Sequence, residues 1–271
     1  MRIQKATIFA LALERGTLAQ LVEQRTENPC VPGSIPGGTT KKPYILVGFF
    51  YFSIYMLTKL YKNKELLRFS VFFVWLINIS GFFGVLSNQK EFFLSTSPFA
   101  IVITFILLVL NYDFKQKGFI SALISIISIG FLVEFLGVNY DLFFGSYEYG
   151  DNLGYKIGGV PIIMSINWLV LIFLTGSFAE KIIPNFLPLK VLFASLLMVF
   201  LDVLLEICAP KLDYWKFNDE VVPMSNYNSW FIISAVCLYI YFKLIKDKEY
   251  ALSNNLLVIH LAFFGLLSVF L

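Results

Sequence analysis

The chain has 271 residues, of which 58% are hydrophobic and only 14% charged, and its mean hydropathy is +0.76. Soluble domains carry about 25% charge, so the composition excludes a water-soluble globule and requires an integral membrane protein. A net charge of +3 without a Lys/Arg-rich tract excludes a nucleic-acid partner. The single histidine, His260, and three cysteines in no CxxC spacing (Cys30, Cys208, Cys237) give no histidine-based metal site, no Ser-His-Asp set built on another histidine, and no disulfide frame.

Residues 1–40 differ from the rest. They are polar, broken by Pro29, Pro32 and Pro36, and lack apolar periodicity. The run ALALERG is too short to cross a bilayer, and no clean signal-peptide cleavage site follows it. The stretch AQLVEQRTENPCVPGSIPGGTT looks like a tRNA gene translated in frame: codons for Ala-Gln-Leu-Val-Glu spell GCTCAGTTGGTAGAG, a D-arm, and codons for Gly-Ser-Ile-Pro spell GGTTCGATTCC, a T-arm. The following KKPYILVGFFYFSIY is what AT-rich intergenic DNA encodes. Residues 1–55 are therefore expected to be a non-native, disordered extension, with the protein proper at 56–271. If the extension is made, residues 44–57 are a marginal interfacial or spanning helix.

From Met56 the pattern is regular. The basic amphipathic lead-in MLTKLYKNKELLR is followed by seven apolar runs, at residues 69–86, 98–111, 119–137, 161–179, 189–207, 230–245 and 255–271. All but the short second run, whose edge extends toward Ser95, have the length of a spanning helix. Backbone groups in lipid must be satisfied internally, so these runs predict helices. The expected fold is all-α, a polytopic membrane bundle of about seven transmembrane helices.

Lys and Arg set the expected orientation. One set of alternate connections holds eleven (Lys59, Lys62, Lys64, Arg68; Lys115, Lys117; Lys181, Lys190; Lys243, Lys246, Lys248) and the other four (Lys90, Lys156, Lys211, Lys216). The Met56 end is expected in the cytoplasm of a cell-membrane protein, the C-terminus outside, and the loops before residues 161 and 230 outside too. Glu134, Asn167, Asp202 and Glu206 then lie at one level, beneath both loops.

Asp202 and Glu206 are four apart and share a helix face. Acids within a membrane helix usually face the bundle interior, and a carboxyl that keeps its proton in an apolar place is what a general acid needs. A structural hydrogen-bonded pair is the plainer alternative. Glu134 is expected to give a proton, accept one, or cap a loop amide. Asp141, Glu148, Asp151, Asp213, Asp219 and Glu220 read as solvated loop charges, Asp213 least plainly because Tyr214 and Trp215 follow it. Tyr140, Tyr147, Tyr149, Tyr155, Tyr214 and Trp215 are either an interfacial belt or, in part, rings whose π faces stabilise a carbocation. Gly158 and Gly159 before Pro161 suit a turn into a helix. Asn167 is equally suited to orienting a water or bonding a neighbouring helix, and Asn226 to serving as an N-cap. His260 is expected as a helix-packing hydrogen bonder, and Cys208 and Cys237 as apolar fillers.

The segments EFLGVNYDLFFGSYEYGDNLGYKIGGVPII, INW, LDVLLEICAPKLDYW and VPMSNYNSWF, within residues 69–271, resemble those of the carotenoid biosynthesis membrane protein family, of the bisanhydrobacterioruberin hydratase and γ-carotene hydratase type. One departure is Glu206-Ile-Cys-Ala-Pro, where the family's pattern has proline directly after the acid. The resemblance implies acid-catalysed addition of water to the terminal C1,C2 double bond of an acyclic carotenoid, with no cofactor or metal. It implies Asp202 or Glu206 as proton donor, Glu134 with Asn167 positioning the water, Tyr147 or Tyr149 beside the cation, and Trp168, Tyr214, Trp215 and Asn226 completing the substrate site. The implied partners are a lipid-soluble carotenoid, the bilayer and other carotenoid enzymes. A membrane carotenoid cyclase is an alternative, since the same cation can lose a proton instead. A pigment-binding or transport protein using the acids as a proton relay is a second. Mass spectrometry of the purified protein's N-terminus is expected to begin at Met56; a native peptide from the first forty residues overturns that start.

Overall fold

The computed structural model describes residues 63–183 and 185–271. The extension expected at residues 1–55, the start at Met56 and the helix weighed at 44–57 lie outside them. Among the described residues the first helix, α1 (Lys64–Val85), begins five residues before the expected 69 because Asn63 caps it. The Asn63 side chain accepts from the amides of Glu65 and Leu66 at 2.9 and 3.3 Å, satisfying two first-turn donors. A short α2 (Lys90–Ser95) leads into α3 (Ser97–Leu110). Pro98 falls at the start of α3, where a missing N–H is tolerated.

Next come α4 (Phe119–Tyr140), α5 (Ile162–Ile182), α6 (Leu187–Cys208), α7 (Met224–Leu244) and α8 (Ala251–Phe270). Each of the seven apolar runs is thus a helix, and the chain is an all-α membrane bundle. Five of these helices, α1, α4, α5, α6 and α8, are long and apolar enough to cross a bilayer. With 21 residues α7 has the expected spanning length but is too polar to count among the five, and α3 is short, as expected. With 14 residues, α3 rises only about 21 Å, against a hydrocarbon core of about 30 Å. The first turns of α7 are polar, with Ser225, Asn226, Asn228 and Ser229. The same polarity hid the true start of α7 at Met224, behind Pro223, so Asn226 is a buried first-turn residue and not an N-cap.

The centre of the bundle is α5, which packs against α3, α4, α6, α7 and α8. Its spanning window is 78% buried, against 11% for α1. A helix apolar all round belongs in such a place. Small residues let its neighbours close in: a Cβ built at Gly130 of α4 would lie 2.9 Å from the Trp168 Cβ of α5, and one at Gly176 of α5 would lie 2.6 Å from the Tyr241 ring of α7.

Both aromatic loops lie at one end of the bundle and are joined by a sheet that the apolar pattern did not predict. In the first loop, β1 (Tyr147–Tyr149) is followed by a tight hairpin of β2 (Lys156–Ile157) and β3 (Val160–Pro161). The hairpin turns on Gly158 and Gly159, with φ of 56° and 81°, the left-handed pair a two-residue turn requires. In the second loop, a 3₁₀ turn (Ala209–Leu212) leads to β4 (Trp215–Phe217), which pairs antiparallel with β1 in the register Tyr147↔Phe217 and Tyr149↔Trp215. Alternation along a strand turns Tyr147, Tyr149, Trp215 and Phe217 inward and leaves Glu148 and Lys216 outside, ion-paired at 2.9 Å. Asp213 is a brace: its carboxylate accepts from the Asp151 amide at 2.9 Å. Gly150 is required there, since a Cβ would run into the Asp213 main chain.

At the other end, Glu180 of α5 pairs with Lys190 of α6 at 2.8 Å and with Lys248, before α8, at 3.4 Å. His260 bonds within its own helix, Nδ1 to the Leu256 carbonyl at 2.8 Å, and among the described residues it has no hydrogen bond to a second helix. Gly130→Val is expected to cost about 1–3 kcal/mol through overpacking, read as a lower thermal midpoint in detergent with quenched or shifted Trp168 emission; an unchanged midpoint contradicts the close α4–α5 contact.

Candidate functional site

The site is built from the middle of α4 outward. Glu134 is 3% exposed and points into the bundle. Its Oε1 accepts from the Trp168 indole at 2.8 Å, and its Oε2 accepts from the hydroxyls of Tyr147 at 2.6 Å and Tyr149 at 2.5 Å. Burial opposes a charge at such a carboxyl, and three donors are what favours one. Burial first, and the Glu134 charge next, push both phenols well above the ordinary tyrosine range, so both remain O–H donors. The Trp168 ring stacks on Trp230 of α7, with centroids 4.3 Å apart and planes at 22°.

The other two acids come from α6. Asp202 is fully buried and Glu206 7% exposed. One amide serves both: Asn226 Nδ2 donates to Asp202 Oδ2 at 2.7 Å and to Glu206 Oε1 at 3.3 Å. The Trp215 indole donates to Glu206 Oε2 at 3.0 Å. Among the described residues Asp202 Oδ1, which is buried, has no hydrogen-bond partner. Unpaired buried oxygens are rare and mark a place where a proton, a water or a ligand is expected. Both α6 acids lie within electrostatic reach of Glu134, so three carboxyls from two helices form one cluster beneath the paired loops.

Two cavities lie beside one another here, and one of them reaches the cluster. The smaller, of about 20 Å³, has Glu134, Glu206 and Asn226 as its polar wall and Phe144, Phe217 and Trp230 among its apolar lining. That is room for one water and no more. The larger, of about 420 Å³, runs between α1, α3, α5 and α8 and is lined mostly by apolar side chains. Small-molecule sites fall at about 300–1,000 Å³. Met164 and Trp215 line both cavities.

The structure therefore brings together Glu134, Asp202, Glu206, Tyr147, Tyr149, Trp168, Trp215 and Asn226. It places Asn167 and Tyr214 elsewhere, in the wall of the larger cavity. Asn167 faces that cavity because it is one residue before Trp168, which turns toward Glu134. Tyr214 bonds Ser97 of α3 through its hydroxyl at 2.8 Å. Sequence reasoning missed Met164, Phe144, Phe217 and Trp230 as lining. The alternation of WKF, matching that of YEY, was a signal for Phe217; an apolar methionine in an apolar run carried none. Among the described residues, no three His, Cys, Asp or Glu side chains converge as a metal site.

Fold and site together define a membrane-embedded helix bundle that sets buried carboxyls at the edge of an apolar chamber. A family model described as "Carotenoid biosynthesis protein" matches residues 95–271. The chain belongs to that family, which gives it a role in carotenoid biosynthesis. No curated protein and no solved structure matches it.

Asn226→Leu strips a donor from each α6 acid, and a buried acceptor left unpaired costs about 1–3 kcal/mol. The variant is expected to unfold at a lower temperature in detergent than the wild type; a wild-type midpoint rules out the shared amide.

Proposed function

We propose that the protein is an enzyme, a hydratase adding water across the terminal C1,C2 double bond of an acyclic carotenoid end. One observation carries this reading: a water-sized cavity walled by carboxyls adjoins an apolar chamber sized for a small-molecule end group, with Met164 and Trp215 lining both. The polyene enters the apolar chamber from the bilayer, in which it is already dissolved. A carboxyl of the Asp202–Glu206 pair gives its proton to C2: the alkene's π electrons form the C–H bond, the O–H bond breaks, and a tertiary cation is left at C1. Glu206 is the member of the pair that lines the small cavity, beside Met164 and Trp215, which also line the chamber, so it is the acid that an alkene passing those two side chains meets first. Two buried carboxyls sharing one amide resist ionising together, which keeps a proton available.

The water's oxygen then bonds to C1, and its surplus proton returns to the carboxylate, so the enzyme ends as it began. Glu134 holds the water and faces the developing positive charge. Tyr147 and Tyr149 keep that carboxyl in place, a positioning duty in place of the expected ring contact with the cation. Asn167, in the wall of the chamber, belongs to the polyene's side. A preorganised charge opposite a developing one is the largest kind of catalytic stabilisation. The excess of Lys and Arg at the opposite end supports an orientation with the paired loops on the external face.

The test is expression in cells that make lycopene or γ-carotene, with pigments analysed by mass. Gain of one water is expected. An isomer of unchanged mass makes the protein a cyclase, and unaltered pigment argues for binding or transport. Asp202→Asn and Glu206→Gln are each expected to lower conversion by about 10²–10⁴-fold while the protein still accumulates in the membrane; full activity in both defeats the assignment.

A further inference from the structure

The two cavities pose a problem of access. At about 20 Å³ the acid-lined cavity has room for a water and none for a carbon chain. The 420 Å³ chamber has room for a carbon chain, and neither Glu134, Asp202 nor Glu206 lines it. An alkene lodged in the larger space meets a carboxyl only if the partition yields. Met164 and Trp215, the two residues common to both linings, stand in that partition.

Trp215 is not free to yield. It is held in β4 by pairing with Tyr149. Its indole donates to Glu206, and its ring packs against Tyr149 at 6.1 Å and Tyr214 at 6.3 Å. Moving it would break the hydrogen bond to the acid that the alkene must reach. Met164 is held by nothing comparable. It is buried in the first turns of α5 and carries an unbranched thioether with three rotatable bonds, the side chain best able to change shape in place. Its helix neighbours fix where it acts. Asn167 and Leu171 line the apolar chamber, while Trp168, four residues on, bonds Glu134. Met164 thus stands on the stripe of α5 that divides the two spaces.

We infer that Met164 is the movable partition between the polyene chamber and the acid cavity, and so the positioning residue that decides which end groups reach the carboxyls. Its swing admits the end of the chain, and its return excludes bulk solvent from the cation. This rests on the hydratase reading given above, and the experiment separates the two.

Wild type, Met164→Ala, Met164→Ile and Met164→Phe are each expressed in pigment-producing cells. Product is measured by mass and bound polyene by the visible absorbance of the purified protein. Ile keeps the size of the side chain but is stiff at its first torsion, so it tests mobility without the overpacking that Phe brings. Met164→Ile and Met164→Phe are expected to convert at least about tenfold more slowly, a modest share of what misplacing a reacting group costs, while binding as much polyene as the wild type. Met164→Ala, which merges the two spaces, is expected to convert lycopene at or above the wild-type rate. A residue that merely packs gives another pattern: all three variants lose bound polyene and conversion together, in step with thermal midpoint. That pattern, or wild-type conversion by Met164→Ile, overturns the inference and leaves the hydratase standing. Wild-type protein that binds polyene but yields no hydrated product overturns both.

Discussion

The structure depends on a single buried carboxyl group, that of Glu134. Glu134 draws an indole from α5 and two phenols from the first loop onto its two oxygens. Without those donors a carboxyl at this depth would carry a desolvation penalty of several kcal/mol. With them it becomes the point where two helices and a loop are fixed to one another. The stacking of Trp168 on Trp230 extends the arrangement to α7. The α7 residue Asn226 extends it to the two acids of α6. Polar groups whose neighbours are otherwise apolar thus specify how the helices meet, since apolar packing alone in lipid distinguishes poorly between helix faces.

The sheet at the loop end does for the roof what Glu134 does for the floor. Three residues in each strand suffice because alternation places four aromatic side chains inward and a single ion pair outward. The inward row covers the carboxyls and limits the space above them to one water. At the far end, Glu180 with Lys190 and Lys248 ties α5, α6 and the approach to α8. The bundle is therefore pinned at both ends by charge and filled between them by apolar side chains.

Much of this was legible from composition and spacing. Seven apolar runs predicted seven helices, and Asp202 and Glu206 four apart do share one inward face. Asn226 was read as an N-cap and not as a helical residue, because its polar neighbours broke the apolar period that marks a helix start. The pairing of Tyr147–Tyr149 with Trp215–Phe217 follows no apolar period; its one signal is the alternation shared by YEY and WKF, three residues long in each loop. Tyr147 and Tyr149 were expected to present rings; their hydroxyls also bond Glu134, and a hydroxyl's partner depends on tertiary geometry that no local spacing encodes. Asn167 illustrates the same limit. One residue of helical rotation separates it from Trp168, and only the neighbours of α5 show which of the two faces Glu134.

The strand pairing that closes the roof joins segments nearly seventy residues apart in the chain, and this bears on how the protein is made. A chain inserted from its N-terminal side delivers α4 to the bilayer before the indole of α5 exists, and α6 before Trp215 or Asn226. Each acid thus enters lipid alone and gains its donors later. Biogenesis is therefore most exposed between the arrival of α4 and that of α7, the interval in which an insertase or a membrane protease meets carboxyls still waiting for company.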